Sequence, residues 1–376
     1  SGFTTTGATI LGDVEALSHA SMLWRCLTHW VGGMGILVFM LIVLPLAGGQ
    51  TIYLMRAESP GPSASKISPH MRDTALILYA IYFGLTVLQI ILLLIGGMPM
   101  FDAICVSLGT AGTGGFGNWN NSIAHYDSAY LQNVISVFMI LFGINFNVYF
   151  LFYMKKPKEA LCCEEARWYL GIIAASILVI TFFVRDFFDS LFLAFHHVAF
   201  QVASIITTTG FATVDFNLWP TIPKTILVLL MFIGACAGST GGGIKVSRIM
   251  MAFKEAKKEM AAVIHPRSVK VIKYEGKVLG HPVLRSLNAY LILYAFIFTV
   301  SVLLVSLDNF DFATSFSAVA ANFNNIGPGL SVVGPSSNFS MLSDLSKLVL
   351  IFDMLAGRLE LFPILVLFSP GTWKRG

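Results

Sequence analysis

Thr4-Thr5-Thr6-Gly7-Ala8 and Thr207-Thr208-Thr209-Gly210-Phe211 are two versions of one phrase, and the organisation of the chain follows from finding it again. Thr113-Gly114-Gly115-Phe116 is a third version and Asn324-Asn325-Ile326-Gly327-Pro328 a fourth. The anchor glycines Gly7, Gly115, Gly210 and Gly327 stand 108, 95 and 117 residues apart, which marks an internal repeat. A Phe-Asp pair precedes three of them (Phe101-Asp102, Phe188-Asp189, Phe310-Asp311) at uneven distances of 13, 21 and 16 residues. After each glycine comes a polar stretch and then a long apolar run.

The surroundings of the phrase are membrane-like. Of 376 residues, 56% are hydrophobic and 12% charged, against about 25% charged in soluble domains. That composition excludes a soluble globule and equally a disordered chain, which would be charge-rich. The net charge of +4 does not suggest a nucleic-acid binder. A bilayer-crossing helix needs about 20 apolar residues. Runs of that order are expected at 30–55, 74–101, 128–154, 168–184, 225–244 and 286–307, with a seventh at 345–368 that carries Asp353, Arg358 and Glu360. Three shorter segments (101–108, 187–206 and 310–323) end in the repeated phrase and read as re-entrant half-helices, which are tolerated only where they line a cavity.

Lys and Arg orient the chain. Three lie in 50–72 (Arg56, Lys66, Arg72), four in 154–168, ten in 245–285 and two in the tail (Lys374, Arg375), so nineteen of 24 share one side. That side is expected to be cytoplasmic, with 245–285 as a helix continuing into the cytosol. The half-helices, with acids such as Asp13, Asp102, Asp215 and Asp311, dip in from outside. The expected fold is therefore an all-α membrane protein with four pseudo-repeats around a central pore. Their bounds are 1–72 (truncated at its N-terminus), 73–167, 168–285 and 286–376. Ser1-Gly2-Phe3 opens without an initiating Met, so a longer parent protein is expected. The cysteines (Cys26, Cys105, Cys162, Cys163, Cys236) show no disulfide framework or metal-ligand spacing.

Four such units can make a filter. Each half-helix aims its partly negative C-terminal end at the centre. Each glycine turn can present backbone carbonyls there, because glycine tolerates positive φ. Carbonyls from four loops can replace the hydration shell of K⁺. The candidate ion-binding residues are Thr5, Thr6 and Gly7; Thr113, Gly114 and Gly115; Thr208, Thr209 and Gly210; and Asn325, Ile326 and Gly327. K⁺ is then the substrate ion, and no covalently bound cofactor is expected.

At these motifs the chain resembles the Trk, Ktr and plant HKT superfamily of cation transporters, and within it the membrane subunits of bacterial Trk potassium-uptake systems. The resemblance rests on SGFTTTGAT (1–9), WRCLTHWVGGMGI (24–36), TGGFGNWN (113–120) and TTTGFATVDFNLWP (207–220). It continues through GSTGGGIKVSR (238–248), NNIGPGL (324–330) and GRLELFP (357–363). It implies a multi-pass protein of the bacterial inner membrane, a homodimer set in membrane lipid, and a cytosolic ring of nucleotide-sensing regulatory subunits as partner. It also implies K⁺ preference, since all four anchors are glycine and serine at the first loop goes with Na⁺. The fourth loop departs from the Thr-Thr-Gly pattern, which implies sites that are not four-fold equal.

Residues 234–244 place five glycines in eleven positions inside an expected span. At about 1 kcal/mol each relative to Ala, they argue for a break in the helix. Gly238, Ser239, Thr240, Gly241, Gly242, Gly243 and Lys245, with Arg358 from the last span, are the candidate gate. Arg358 at membrane depth costs about 2.5–3.5 kcal/mol. It is read either as an ion pair with Asp353 or Glu360 or as a positive charge near the pore. Arg25 and His29 are expected to anchor the headgroup region, and His196 and His197 to be packing residues. Two rivals remain: obligatory H⁺- or Na⁺-coupled K⁺ symport and, remotely, an intramembrane serine hydrolase using Ser239. No ATP site is visible, and enzymatic activity is not expected.

Overall fold

A computed structural model describes residues 1–35, 71–265, 271–359 and 361–368. The expected continuation of the first span through residues 36–55 lies outside these, as do Arg56, Lys66, Arg267, Lys270, Glu360, Lys374 and Arg375.

The described residues are mostly helical. After the first Thr/Gly phrase, α1 (His19–Gly33) starts at Ser18, whose side chain accepts from the Ser21 amide. Then come α2 (Met71–Ile95), α3 (Met100–Ala111), α4 (Ala129–Gly143), α5 (Phe146–Tyr153) and the short α6 (Pro157–Leu161). The third set comprises α7 (Glu164–Val184), α8 (Leu191–Ile206), α9 (Thr221–Ile233) and α10 (Val246–Ile264). The fourth comprises α11 (His281–Val305), α12 (Phe312–Phe323), α13 (Asp344–Arg358) and α14 (Leu361–Phe368). One order of parts therefore recurs: a long helix, a short apolar helix, a glycine loop and a further helix.

Three described helices are long and apolar enough to cross a membrane: Ala75–Ile95, Glu164–Phe187 and His281–Asp308. Only 22%, 28% and 22% of their most apolar windows are buried within the protein, so most of that apolar surface needs a hydrocarbon solvent. The short helices show the reverse. On α12, Ser317, Ala318, Val319, Ala320, Ala321, Asn322 and Phe323 are all buried, and α8 is buried from Val198 to Ile206 except Ala199. Long helices form the perimeter and short ones the centre: α3 packs on α1, α2 and α4; α8 on α7, α4 and α9; α12 on α11 and α13.

The half-helices start differently from one another. Asp311 caps α12 by accepting from the Thr314 amide (3.3 Å), and Ser190 caps α8. Asp102 instead lies in the first turn of α3, accepting from Asn118 Nδ2 (2.6 Å) and the Tyr126 hydroxyl (2.7 Å). The Phe-Asp pairs are thus not equivalent, in keeping with their uneven spacing.

Two expected spans are not straight. The run 128–154 is bent by 87° between α4 and α5. The run 225–244 stops at Ile233, where Gly234 takes φ 69°. These two breaks serve each other. Gly143 O accepts from the Cys236 amide (3.1 Å), Phe142 O from the Thr240 amide (3.4 Å), and the Phe146 amide donates to Gly238 O (2.9 Å). Backbone groups freed by irregular chain at membrane depth need such partners. On the basic side the structure adds to the expected helix: α10 is followed by a two-stranded antiparallel hairpin, β1 (Lys273–Tyr274) and β2 (Lys277–Val278). All five cysteines are free thiols.

Candidate functional site

The four glycine phrases, far apart in sequence, converge into one ring. In every copy the same two positions take positive φ: Thr5 (55°) and Gly7 (82°), Thr113 (51°) and Gly115 (78°), Thr208 (59°) and Gly210 (83°), Asn325 (57°) and Gly327 (98°). A β-branched threonine in the left-handed region is an outlier, and backbone strain of this kind concentrates at functional sites. Three of the strained positions follow the C-termini of α3, α8 and α12 by two residues.

The glycines are required by their neighbours. A Cβ at Gly7 would collide with Gly114 O, one at Gly115 with Thr209 O, one at Gly210 with Ile326 O, and one at Gly327 with Thr6 O. Each loop therefore presses the carbonyl just before its own glycine against the glycine of the preceding loop, and the fourth returns to the first. The circle closes with one carbonyl per loop. The four glycines line a cavity of about 140 Å³ together with Arg25, Trp119 and Asn338.

Hydroxyls and amides brace the circle. Thr4 and Thr6 share a hydrogen bond (2.9 Å), as do Thr207 and Thr209 (2.8 Å). The departure in the fourth loop has a structural reason: Asn325 Nδ2 donates to Thr6 Oγ1 (3.0 Å) and to Met354 O (2.9 Å), bridging the first loop and α13. Tyr294 holds the adjacent Asn324 through its Oδ1 (2.9 Å).

Arg25 and His29 are not headgroup anchors. His29 is fully buried, its Nδ1 is 2.9 Å from Gly2 O, and a Cβ at Gly114 would strike its ring. The imidazole fills the space behind the first two loops. The Arg25 guanidinium lies 3.7 Å above the Phe116 ring beside the cavity, a cation–π arrangement. The α1 face that carries both residues turns towards the ring, which helical spacing alone did not reveal.

The 234–245 segment abuts the ring. The Gly242 amide donates to Thr208 Oγ1 (2.6 Å), and a Cβ at Gly241 or Gly242 would meet Thr207 O or Asn324 O respectively. Gly238, Gly243 and Lys245 take positive φ (70°, 79° and 84°), and Lys245 Nζ donates to Gly241 O. Arg358 closes the arrangement. Its Nη1 donates to Thr240 O (2.8 Å) and its Nη2 to Gly33 O (2.8 Å) and Gly32 O, tying α13 to the loop and to the end of α1. The expected pair with Asp353 does not form, because Asp353 instead accepts from Ser301 Oγ (2.7 Å). Carbonyl dipoles surround the guanidinium and offset its insertion cost, since a hydrogen bond to a charged group contributes about 1.5–3 kcal/mol.

The Ser239 hydroxyl donates to Cys236 O (2.6 Å). His196 bonds Asn133 and Gln132, and His197 bonds Thr213. Neither histidine is placed as a base for Ser239. Among the described residues no His, Cys, Asp and Glu group could hold a metal ion of the resident kind. Sequence reading missed Asn145 and Glu165, which touch this loop directly. The Asn145-Phe146-Asn147 interruption of an apolar run was a signal for the first; Glu165, inside a charged cytosolic stretch, gave none.

Residues 1–374 match the TrkH family, described as a cation transport protein. The chain belongs to the TrkH family. Over 378 residues it is 37% identical to the Trk system potassium uptake protein TrkH of Salmonella typhimurium, covering all of this chain and 78% of that protein. It is 35% identical over 382 residues to the Trk system potassium uptake protein TrkG of Escherichia coli, covering 77% of that protein. The crystal structure of the potassium transporter TrkH from Vibrio parahaemolyticus superposes with a TM-score of 0.87 at 34% identity, covering 99% of this chain and 77% of that one. Like other members of the TrkH family, the chain is a multi-pass membrane protein of a transporter rather than an enzyme family.

Proposed function

We propose that this chain conducts K⁺ into the cell across the bacterial inner membrane, with the four-loop ring as selectivity filter and the 234–245 segment as gate. The closed circle of carbonyls carries this reading: Thr6, Gly114, Thr209 and Ile326 each press an oxygen against a neighbouring loop's glycine. Such a ring offers a dehydrated cation neutral oxygen ligands, and no fixed charge that would hold the ion too tightly to leave. Thr5, Gly7, Thr113, Gly115, Thr208, Gly210, Asn325 and Gly327 set the backbone geometry through their positive φ. The four units 1–72, 73–167, 168–285 and 286–376 each supply one loop.

Below the ring, Gly238 to Gly243 and Lys245 obstruct the path, and Arg358 holds them there while placing a positive charge beside it. Inward movement of each K⁺ down an inside-negative potential gains about 2.3 kcal/mol per 100 mV. A Trk-type pore works with partners, which we take to be a second copy and a cytosolic nucleotide-sensing ring acting on the basic face. The decisive measurement is ⁸⁶Rb⁺ uptake into proteoliposomes carrying the full-length protein under an imposed inside-negative potential. Saturable Rb⁺ uptake that K⁺ suppresses better than Na⁺ is expected. Absence of uptake, with or without partner subunits, overturns the proposal.

A further inference from the structure

We infer that Glu165 is a positioning residue that latches the 234–245 loop, and that the β1–β2 hairpin is the cytosolic handle of that latch. The inference rests on reading that loop as a gate.

Glu165 is fully buried, the second residue of α7, and donors converge on both of its carboxyl oxygens. Oε1 accepts from the amides of Ala237 (2.6 Å) and Ser247 (3.2 Å). Oε2 accepts from Asn145 Nδ2 (3.2 Å) and the Tyr274 hydroxyl (3.3 Å). Burying a carboxyl without such donors costs several kcal/mol, so this residue is not a space-filler.

The identities of the donors matter most. Ala237 precedes the Gly238–Gly243 stretch within the loop and Ser247 lies just beyond Lys245, so one oxygen atom holds both flanks of that stretch. Ser247 also lies in the first turn of α10, whose N-cap Lys245 supplies no capping side chain; Glu165 fills that role from another helix. Asn145 sits at the bend between α4 and α5, and the neighbouring Phe146 amide holds Gly238 O within the loop. The latch therefore gathers both flanks of Gly238–Gly243 and the α4–α5 bend at one carboxyl group.

Tyr274 connects that point to the outside. The hairpin is held against the start of α7: Glu275 accepts from the Glu165 amide (3.1 Å) and Cys163 Sγ (3.4 Å), while Lys254 links Lys273 O (2.7 Å) to Glu164 (2.5 Å). Its inner face is buried at Tyr274, whereas Lys277 and Val278 on its second strand are exposed. A partner that engages the exposed strand can draw Tyr274 and Glu275 away from α7. A cavity of about 680 Å³ bordered by Asn145, Glu164, Tyr274 and Glu275 gives the displaced groups room. With its contacts to the hairpin broken, Glu165 loses the support that keeps its oxygens on Ala237 and Ser247.

The test measures Rb⁺ influx into proteoliposomes of the full-length protein without partner subunits. Three variants are compared: Glu165→Gln, Tyr274→Phe and a deletion within Gly238–Gly243. Weakening of the latch by Glu165→Gln is expected to raise influx about tenfold, equivalent to about 1.4 kcal/mol. Tyr274→Phe, which removes one hydroxyl from a cytosolic hairpin and leaves the membrane core intact, is expected to raise it about threefold. The K⁺/Na⁺ ratio should stay at the parent value in both, because neither touches the ring; a merely structural lesion would move flux and ratio together. If the deletion raises influx while Glu165→Gln and Tyr274→Phe leave it unchanged or lower it, the latch is overturned and the gate stands. If the deletion itself changes nothing, the gate reading fails and the latch with it.

Discussion

The four-loop ring and the 234–245 loop are built from the same small residues, yet they are held in place by different means. In the ring, each loop is fixed by its neighbour: a carbonyl against a glycine, repeated until the circle closes. The 234–245 loop has one copy and no symmetry mate. It depends on side chains brought from distant points of the chain: Arg358 from α13, Glu165 from α7 and Thr208 from the third filter loop, with backbone groups of the α4–α5 bend. A ring of mutual backbone contacts has no single bond whose loss opens it. A loop held by three side chains can be released by losing one, which is what the proposed gate requires and the proposed filter must avoid.

Substitutions at three places can break or sharpen this contrast. The largest effect is expected in the ring. Ala at Gly115 or Gly210 must hold φ near 80° and push back a carbonyl, and the left-handed penalty alone is about 1–2 kcal/mol. Rb⁺ uptake should fall at least tenfold, and Ser at Gly7 should lower the K⁺/Na⁺ ratio measured from competition. Parent-like selectivity in Gly7→Ser would remove the first loop from the filter.

Arg358→Ala should have an intermediate effect of opposite sign. It frees Thr240 O and the end of α1, so resting Rb⁺ flux should rise about tenfold, the equivalent of one lost charge-assisted hydrogen bond of about 1.5 kcal/mol. A fall in flux would mean that the guanidinium supports the ring instead of restraining the loop.

The smallest effect concerns the outer rim, where Asp13 joins the loops that follow the first two filter segments. Asn120 Nδ2 donates to Asp13 (2.7 Å), and this bond together with the Glu15 amide holds the Asp13 carboxyl below its usual value. A depressed folded-state value means the contribution is present above the ordinary carboxylate range and is lost as pH falls through the folded value. Asn120→Ala should therefore lower the melting temperature slightly at pH 7, and by less once pH falls below the folded value of Asp13, where only the bond from the Val14 amide to Asn120 Oδ1 (2.9 Å) is still lost. An equal difference at both pH values would show that the rim contact does not depend on the carboxylate.

Much of this is legible in the sequence. The Thr/Gly phrases marked their own loops, because only glycine accepts both positive φ and a carbonyl at van der Waals distance, and four copies made the signal unambiguous. Gly234 to Gly243 likewise announced a broken span, since no helix keeps so many glycines cheaply. Side-chain partners across the fold were less accessible. Arg358 had Asp353 close by in sequence, yet it donates to carbonyls of Thr240 and Gly33, while Asp353 accepts from Ser301. His29 and Arg25 sit where an interfacial anchor would, and only the packing of α1 on α3 shows that they face the ring.

The sequence by itself determined what depends on local chemistry and on repetition: a membrane protein, its short buried apolar helices and the four glycine turns. Tertiary structure alone decided what each exceptional side chain is for. The Asn325 bridge to Thr6, the carbonyl cage of Arg358 and the Glu165 contacts with both ends of one loop join residues tens to hundreds of positions apart. Such pairings leave no periodicity in the chain, because they arise where different helices meet and not within any one of them.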